Sequence, residues 1–560
     1  LDFFFFFYGA LYAGATAIPA YPPEPSRIER TLARLMTIVA DAAPAVVLTS
    51  STILELAKPM LAFAPQLAKL PWLAVDTLCQ GETSPMFKAL GLTPRHPAII
   101  QYTSGSTSRP KGVILSHGNI IANMRMIQAE MEAQVEQGPD RTVVSWTPFY
   151  HDLGLMGGVL LPVISGGRSV LMSPLDFMRR PAVWLSTISR YRATDTFVPN
   201  FALDIAVRKI VGVDRDALDL SSLRSCIVGA EPVRHASVER FLQAFGKQGL
   251  SRNCMVPAYG LAEAVVAVAA GPASETPRTL FIDGEALKHN RFTPVQPSHP
   301  QAIPFTSCGR PLQDVQVSIV HPDSRQLVQV GEIGEIWVRG PHVATGYWNK
   351  PADTEATFAA TLDQDPNRTW LRTGDLGCLE DGHLYVTGRI KDLIILRGRN
   401  YYPQDLELAI EQSHARIRPG AVIVFSCERD TQQRLTIIAE VDARHLPDET
   451  ERQQTLASVL DAIRCALSAH YQLQAQDIVL IKTGSIDKTS SGKLARQACQ
   501  KRYLKQQLEV EQAWELSPVA FDETLTLMGN DADSRFALID HIAKEIVRLT
   551  GGGQPSEDTR

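Results

Sequence analysis

Four short apolar stretches constrain the fold most: "TVVSWTP" (142–148), "SVLMSP" (169–174), "DTFVP" (195–199) and "SCIVGAEPV" (225–233). Each is nearly continuous in apolar residues rather than alternating, and helical stretches or turns lie between them. Strands of that kind are buried on both faces, which requires a mostly parallel sheet with helices covering it. An earlier stretch has the same logic. "SRIERTLARLMTIVADA" (26–42) opens with Ser26 and Glu29 at capping-box spacing and places Leu32, Leu35, Met36 and Val39 on one helical face. The strand-like "PAVVLTS" follows it and completes an α/β unit.

The texture changes near residue 310. "VQVSIV", "GEIGEIWVRG" and "GHLYVTGRI" are short strands broken by glycine, the pattern of an antiparallel region. After "GRIKDLIILRGRNYYPQDLE" (388–407), the strands "GAVIVFS" and "LTIIAEV" alternate with the helical "TLASVLDAIRCALSAHY". The chain of 560 residues is too long for one core. The expectation is an α/β protein. A large domain over 1–388 combines mostly parallel sheets and helices with a β-rich subdomain, a small mobile α+β domain spans 389–512, and a tail covers 513–560.

The leading stretch "FFFFFYGALYAGATAIPAYPP" (3–23) carries no charge and is long enough to raise a membrane span. It lacks basic flanks, and Gly9, Gly14 and Pro19 suit a tightly packed buried helix followed by a strand and turn. No positive region precedes it as a signal peptide needs. The chain starts at Leu rather than Met, which suggests a piece of a longer polypeptide. Charge excludes other classes: 55 Lys+Arg against 60 Asp+Glu leave no basic footprint for nucleic acid or an anionic membrane. The 8 cysteines are scattered without a CxxC pair, so free thiols and a cytoplasmic location are expected.

"YTSGSTSRPKGVILSHGNI" (102–120) cannot bury a core, being so rich in small hydroxyl residues. Such a run can turn several N–H groups and hydroxyls toward one point and cradle phosphate oxygens, with Lys111 adding charge. The spacing does not fit the Walker GxxxxGK[ST] loop. Alone, the segment has a flexible surface loop as its lesser, alternative reading.

It has company. The stretch resembles the phosphate loop of the adenylate-forming enzymes (acyl-CoA synthetases, peptide-synthetase adenylation domains and luciferases). "YGLAEA" (259–264), "TGDLG" (373–377), "GRIKDLIILRGRNYYPQDLE" and "TSSGKLAR" (489–496) resemble, in order, that family's adenine and magnesium segment, ribose turn, hinge and catalytic-lysine loop. "SWTPFYHDLGLMGGVLLP", "GAEPV", "RGRNYYPQDLE" and "TSCGRPL" bring the chain nearest to the fatty-acyl-AMP ligases. So does an extra stretch over 275–305, thought in that branch to restrict the small domain and disfavour CoA.

The resemblance implies a reaction: carboxylate plus ATP gives acyl-adenylate plus pyrophosphate, with Mg2+. By the same resemblance Thr103, Ser104, Gly105, Ser106, Thr107 and Lys111 hold the β- and γ-phosphates, and Lys493 bridges the carboxylate and the α-phosphate. Glu263 is the expected magnesium ligand. Gly229, Ala230, Glu231, Tyr259, Gly260, Leu261 and Ala262 border the adenine, while Asp375 and Arg389 take the ribose. His151 matches the mouth of an acyl tunnel and Lys391 the pivot between domains. Read without the resemblance, Lys493 is a solvated loop lysine, Asp375 a turn-capping residue and His151 a hydrogen-bonded structural histidine.

Two positions depart from the family pattern. Ala262 stands where many relatives have Thr, and Asp487 stands where Pro is usual. In the tail, "RFALIDHIAKEIVRLTGGG" has an amphipathic stripe of Leu538, Ile539, Ile542 and Ile546 and resembles the first helix of an acyl-carrier domain. The segment that would hold the phosphopantetheine-bearing serine does not follow, so a truncated fusion is expected. The expected partners are a fatty acid and an acyl-carrier protein; the alternative acceptor is CoA.

Overall fold

The computed structural model describes residues 2–21, 28–61, 63–78, 90–103, 110–132, 141–272, 274–396, 398–429, 432–444, 446, 448–489 and 492–516. Ser104, Gly105, Ser106, Thr107, the Ser26 cap and the carrier-like tail helix lie outside the described residues. By contact the chain divides into two compact units, Leu1–Leu406 with Asp487–Gln507, and Glu407–Ile486 with Leu508–Arg560. The residues expected as one small domain, 389–512, thus distribute over both.

In the first unit, the four apolar stretches become strands Thr142–Ser145, Arg168–Leu171, Asp195–Pro199 and Ser225–Gly229, and Met255–Tyr259 joins them. All five run parallel in the order 168, 142, 195, 225, 255. Ala269–Ala270 and Arg310–Pro311 extend the edge antiparallel, giving seven strands. Helices Ala182–Tyr191, Asn200–Lys209 and His235–Phe245 cover one face through a core that includes Trp184, Leu203, Phe241 and Phe245. Val47–Thr49 instead pairs in parallel with Trp72–Ala74 as a separate two-stranded sheet. In the helix Ile28–Ala42, Ile38 and Ala42 are the most deeply buried side chains, packing with Ile100 and Tyr102. The expected stripe of Leu32, Leu35, Met36 and Val39 is half-buried.

The glycine-broken stretches form the expected antiparallel sheet: Gln316–Val320, Gly334–Arg339, Asp365–Glu380 and Ala360–Leu362, with His383–Arg389 paired to the long strand. Residues 275–305 fold as a three-stranded antiparallel sheet with a short helix, Gly284–Leu287. Its Ile282, Leu287 and Phe292 share a core with Leu376, Tyr385 and Tyr402. It also holds the hairpin Ile394–Leu396/Arg399–Tyr401, because Asn400 donates from its backbone N and its Nδ2 to Lys288 O at 3.0 and 3.3 Å.

The aromatic start is an 11-residue helix, Asp2–Tyr12, about 16 Å long at 1.5 Å per residue. Phe3 and Phe4 pack on Phe149, with ring centroids 5.3 and 6.2 Å away, and Phe7 is buried. Among the described residues no helix is long and apolar enough to cross a membrane.

Helix Leu153–Leu160, wound in the wide π form, is buried along its whole length. It lies so close to the sheet that a Cβ on Gly157 would stand 2.7 Å from the Phe197 ring. Extended π segments are rare and cluster at functional sites.

The second unit is a four-stranded sheet of Ile417–Arg429, Gln432–Val441, Asp477–Lys482 and Val510–Glu515. Its second and third strands run parallel, joined by the helix Glu449–Tyr471. Asp448 caps that helix, accepting from Glu451 N at 2.6 Å, and Leu456, Val459, Leu460, Ile463 and Leu467 form its buried stripe. The strands expected from "GAVIVFS" and "LTIIAEV" are its first two, an antiparallel pair with the first at the sheet edge.

Candidate active site

Asp375 is buried, and both its oxygens are engaged. Oδ2 accepts from the Tyr259 hydroxyl at 2.8 Å, and Oδ1 lies 2.8 Å from Arg389 Nε. The charge of Asp375 is the main reason the Arg389 guanidinium is held above its ordinary value. Backbone pairing puts Asp375 opposite Arg389 across two strands, so the ion pair is built into the sheet register. The turn before it is fixed from below. Thr373 Oγ1 accepts from Asp375 N at 3.1 Å and donates to Ile336 O at 2.7 Å. Gly374 N donates to Glu335 Oε1 at 3.1 Å, while Glu335 Oε2 accepts from Arg372 Nε and Trp337 Nε1, both at 2.9 Å. Glu335 is only 2% exposed. A buried carboxylate is stable only when so surrounded by donors.

Glu263 sits in the short turn Ala262–Ala264, with Leu261 and Ala262 buried beside it. Gly260 is required by close approach, since a Cβ there would lie 1.8 Å from Val266 O. Beyond the turn, Val265 has φ 65° and ψ −71°, and Val266 N donates to Ala264 O at 2.8 Å. That is a γ-turn of the rarer hand on a β-branched residue, a strained conformation that surrounding packing must enforce. Burial raises Glu263 above the ordinary glutamate value, opposed by the Tyr347 hydroxyl, which donates to Oε1 at 2.8 Å. Lys111 begins the strand Lys111–Ser116 opposite Thr103, the last residue of Pro97–Thr103. Its Nζ stands 4.8 Å over the Tyr347 ring and 2.7 Å from Asp353 Oδ1. Tyr347 therefore links the expected phosphate-binding lysine to the expected metal ligand. Among the described residues no group of three or more metal-ligating side chains occurs. One half-buried carboxylate suits Mg2+, which prefers one or two protein oxygens with waters and phosphates completing its shell.

Lys493 is half-buried in the same unit. Burial lowers its pKa; Asp152, Glu231 and Asp375 act on its ammonium as attracting charges and Arg389 as a repelling one. Burial pushes Asp152 up, but His151, with Nδ1 2.5 Å from Oδ1, and Lys493 carry it below the ordinary value. Glu231 is raised by burial and accepts from Phe201 N at 2.6 Å. It follows Gly229 at a strand end and Ala230, which sits in the left-handed region at φ 66°. Lys391 is exposed in the turn Ile390–Asp392, at the end of the strand carrying Arg389.

The described site residues therefore converge from separate strand ends of one unit, and their order along the chain follows the order of the motifs. Comparison with known proteins decides what kind of enzyme this is. The family pattern described as AMP-binding enzyme matches residues 1–348, and that of the Disco-interacting protein 2-like AMP domain matches 391–513. The chain belongs to the AMP-binding enzyme family.

Among its AMP-binding relatives is the medium-chain-fatty-acid acyl-carrier-protein ligase JamA of Moorena producens (strain JHB). It is 40% identical over 512 residues, covering 91% of this chain and 85% of the relative. The long-chain-fatty-acid AMP ligase FadD26 of Mycobacterium bovis is 36% identical over 512 residues, covering 90% and 85%. The crystal structure of the fatty acyl-adenylate ligase of L. pneumophila, in complex with acyl adenylate and pyrophosphate, superposes with a TM-score of 0.66 at 34% identity. It covers 92% of this chain and 86% of that one. The described fold is thus the α/β architecture of fatty-acyl-AMP ligases.

Several residues of this candidate site escape sequence reading. Glu335, Tyr347, Asp353 and Arg372 sit in segments whose pattern reads as plain strand or helix. Only Arg372, directly preceding "TGD", offers a positional signal. Asp152, beside His151 in "YHD", is the other neighbour a charge-based search would find.

Proposed function

We propose that this chain activates a medium- or long-chain fatty acid with ATP to give acyl-AMP and pyrophosphate, for transfer to an acyl-carrier protein. The observation that carries it is the convergence of Lys493, Asp375 with Arg389, and Glu263 with Lys111 in one unit, in a family whose fatty-acid members are named for this activity. In the reaction a carboxylate oxygen bonds to the α-phosphorus and the bond from that phosphorus to the bridging oxygen of pyrophosphate breaks. Two anions must meet, so positioned cations and N–H donors do most of the work.

Asp375, preset by Glu335 and Thr373, accepts the ribose hydroxyls, exchanging them for the Tyr259 hydroxyl. Tyr259, Gly260, Leu261, Ala262 and the Gly229–Ala230–Glu231 turn border the base. Thr103 and Lys111 frame one end of the phosphate loop, whose Ser104, Gly105, Ser106 and Thr107 would supply hydroxyls and amides. Lys493 brings its positive charge to the carboxylate and α-phosphate, and His151 lines the acyl entrance. Glu263 would hold Mg2+, which when bound neutralises phosphate charge. Among the described residues no nucleophile needs to be invoked.

The test is pyrophosphate release by the purified chain across fatty acids of increasing length, with product analysis in the presence of CoA or a phosphopantetheinylated carrier protein. Acyl-AMP accumulation with CoA, and thioester formation only with the carrier, is expected. A CoA thioester formed at a comparable rate would replace the carrier reading by that of an acyl-CoA synthetase. No pyrophosphate release with any fatty acid would overturn the assignment.

A further inference from the structure

The segment carrying Lys493 is a tight hairpin closed at its base by one residue. Asp487 O accepts from Ala495 N at 2.8 Å, and Lys488 pairs with Leu494. Thr489 N donates to Lys493 O at 2.7 Å, Lys493 N donates to Thr489 Oγ1 at 3.1 Å, and Gly492, at φ 86°, donates to Thr489 O at 2.9 Å. Lys493 thus has its backbone pinned on both sides. Its reach depends on how the hairpin is seated.

The seat is Asp487. Its side chain is 3% exposed and its Oδ2 lies 3.3 Å from Arg502 Nη1, on the helix Arg496–Leu504 that follows the hairpin. The same helix presents Cys499, whose Sγ accepts from Asp487 N at 3.3 Å and donates to Asp487 Oδ2 at 3.6 Å. Burial pushes the Cys499 thiol up to about 12, so it keeps the proton it donates. Arg496, at the first turn of that helix, pairs with Asp392 at 3.2 Å, next to the Arg389 strand. The chain of contacts therefore runs from the strand that bears Arg389, through the helix, to Asp487 and on to the hairpin. The family pattern has proline at 487, which has neither an N–H for Cys499 nor a carboxylate for Arg502.

We propose that Asp487 is a positioning residue for Lys493: through Arg502 and Cys499 it seats the hairpin so that the lysine ammonium reaches the reacting carboxylate and phosphate. This rests on the proposed function and adds to it a residue outside the nucleotide site. Misplacing a reacting group by about 1 Å costs on the order of 100-fold. The effect belongs to the transition state, so it falls on kcat and leaves the KM for ATP alone.

The experiment uses the full chain with Asp487→Asn and, separately, Arg502→Gln, each assayed by pyrophosphate release in the wild-type and Lys493→Ala backgrounds, with Tm measured in parallel. Each variant is expected to lower kcat by about 10- to 100-fold, leave KM for ATP within about twofold, and have no further effect on the residual rate of Lys493→Ala, since a residue acting through the lysine has nothing left to act on. An unchanged kcat in both variants, a rise in KM for ATP instead, or an equal fold-loss in the Lys493→Ala background would overturn the positioning role. If Asp487→Asn does not fold, Arg502→Gln carries the same test alone. If Lys493→Ala itself retains the wild-type rate, the proposed lysine role fails instead, and that arm reads it independently.

Discussion

At the scale of single residues, three ionisable groups of the site are displaced toward neutrality, whereas Asp152 and Arg389 shift toward their charged forms. Burial raises Glu263 and Glu231 and lowers Lys493. Such clustering marks sites built for charge chemistry. In the proposed reaction Glu263 would be ionised to hold Mg2+ and Lys493 protonated to face phosphate. The profile of kcat/KM against pH is therefore expected to be a bell whose acid limb lies above the ordinary glutamate pKa of 4.5 and whose alkaline limb lies below the ordinary lysine pKa of 10.5. Limbs at or beyond the ordinary values would show that the groups are not buried in the working enzyme. Lys493→Ala is expected to reduce pyrophosphate release by about 1,000-fold, comparable to removing one group aimed at a developing charge, with Tm within a few degrees. Asp375→Ala acts in the ground state as well, so about a tenfold rise in KM for ATP is expected.

At the scale of elements, the site is a set of strand ends braced by less obvious neighbours. The TGD turn keeps its shape because Glu335 receives Gly374 N, Arg372 and Trp337 at once. Glu335→Ala leaves the buried Trp337 Nε1 unpaired, at about 1–3 kcal/mol, and takes an acceptor from the half-buried Gly374 N and Arg372; it is expected to lower Tm by several degrees and weaken ATP binding, read by calorimetry and KM. Asp375, Glu263 and Lys493 were singled out in the sequence through the resemblance of their motifs, in order, to a known family; each alone reads as an ordinary turn or loop residue. Glu335 and Tyr347 were not, since "GEIGEIW" and "TGYW" satisfy strand periodicity and hide a polar role inside it. The parallel core strands were legible from continuous apolar runs. The pairing of Val47–Thr49 away from the main sheet was not, because a three-residue strand carries no information about its partner. The fold of 275–305 was equally unreadable, being a compact sheet without a strong period. Phe292, 1% exposed at its centre, gives the check: Phe292→Ala is expected to cost about 3–5 kcal/mol, a loss visible in denaturant unfolding.

For the whole molecule, the first compact unit runs to Leu406 and takes in Asp487–Gln507 as well. Hydrogen bonds from Asn400 to Lys288 and the Arg496–Asp392 pair account for that in local terms. Sequence texture places its change at 388, where the glycine-broken strands stop; it carries no trace of contacts that close later. Acid stability is also a property of this larger unit. His342 is fully buried with neither ring nitrogen hydrogen-bonded among the described residues, and burial lowers its pKa from 6.5 to about 4. The unfolded chain takes up the proton near 6.5 and the folded one only near 4, so stability is complete above 6.5 and drains away as pH falls between the two. That drop is worth about 3 kcal/mol. Thermal melts from pH 7 to 4 are expected to show the loss, and His342→Leu to flatten it; an unchanged slope in the variant would assign the acid sensitivity elsewhere.

The Lys111–Asp353 pair has a consequence of its own. Under the proposed function, the lysine that receives phosphate already owns an acidic companion, so an incoming triphosphate would evict a carboxylate rather than fill an open berth. Once the diphosphate product departs, that companion returns, discouraging rebinding. The chain thereby carries an internal competitor for its own leaving group, and neutralising it as Asp353→Asn should make the enzyme easier to poison with pyrophosphate.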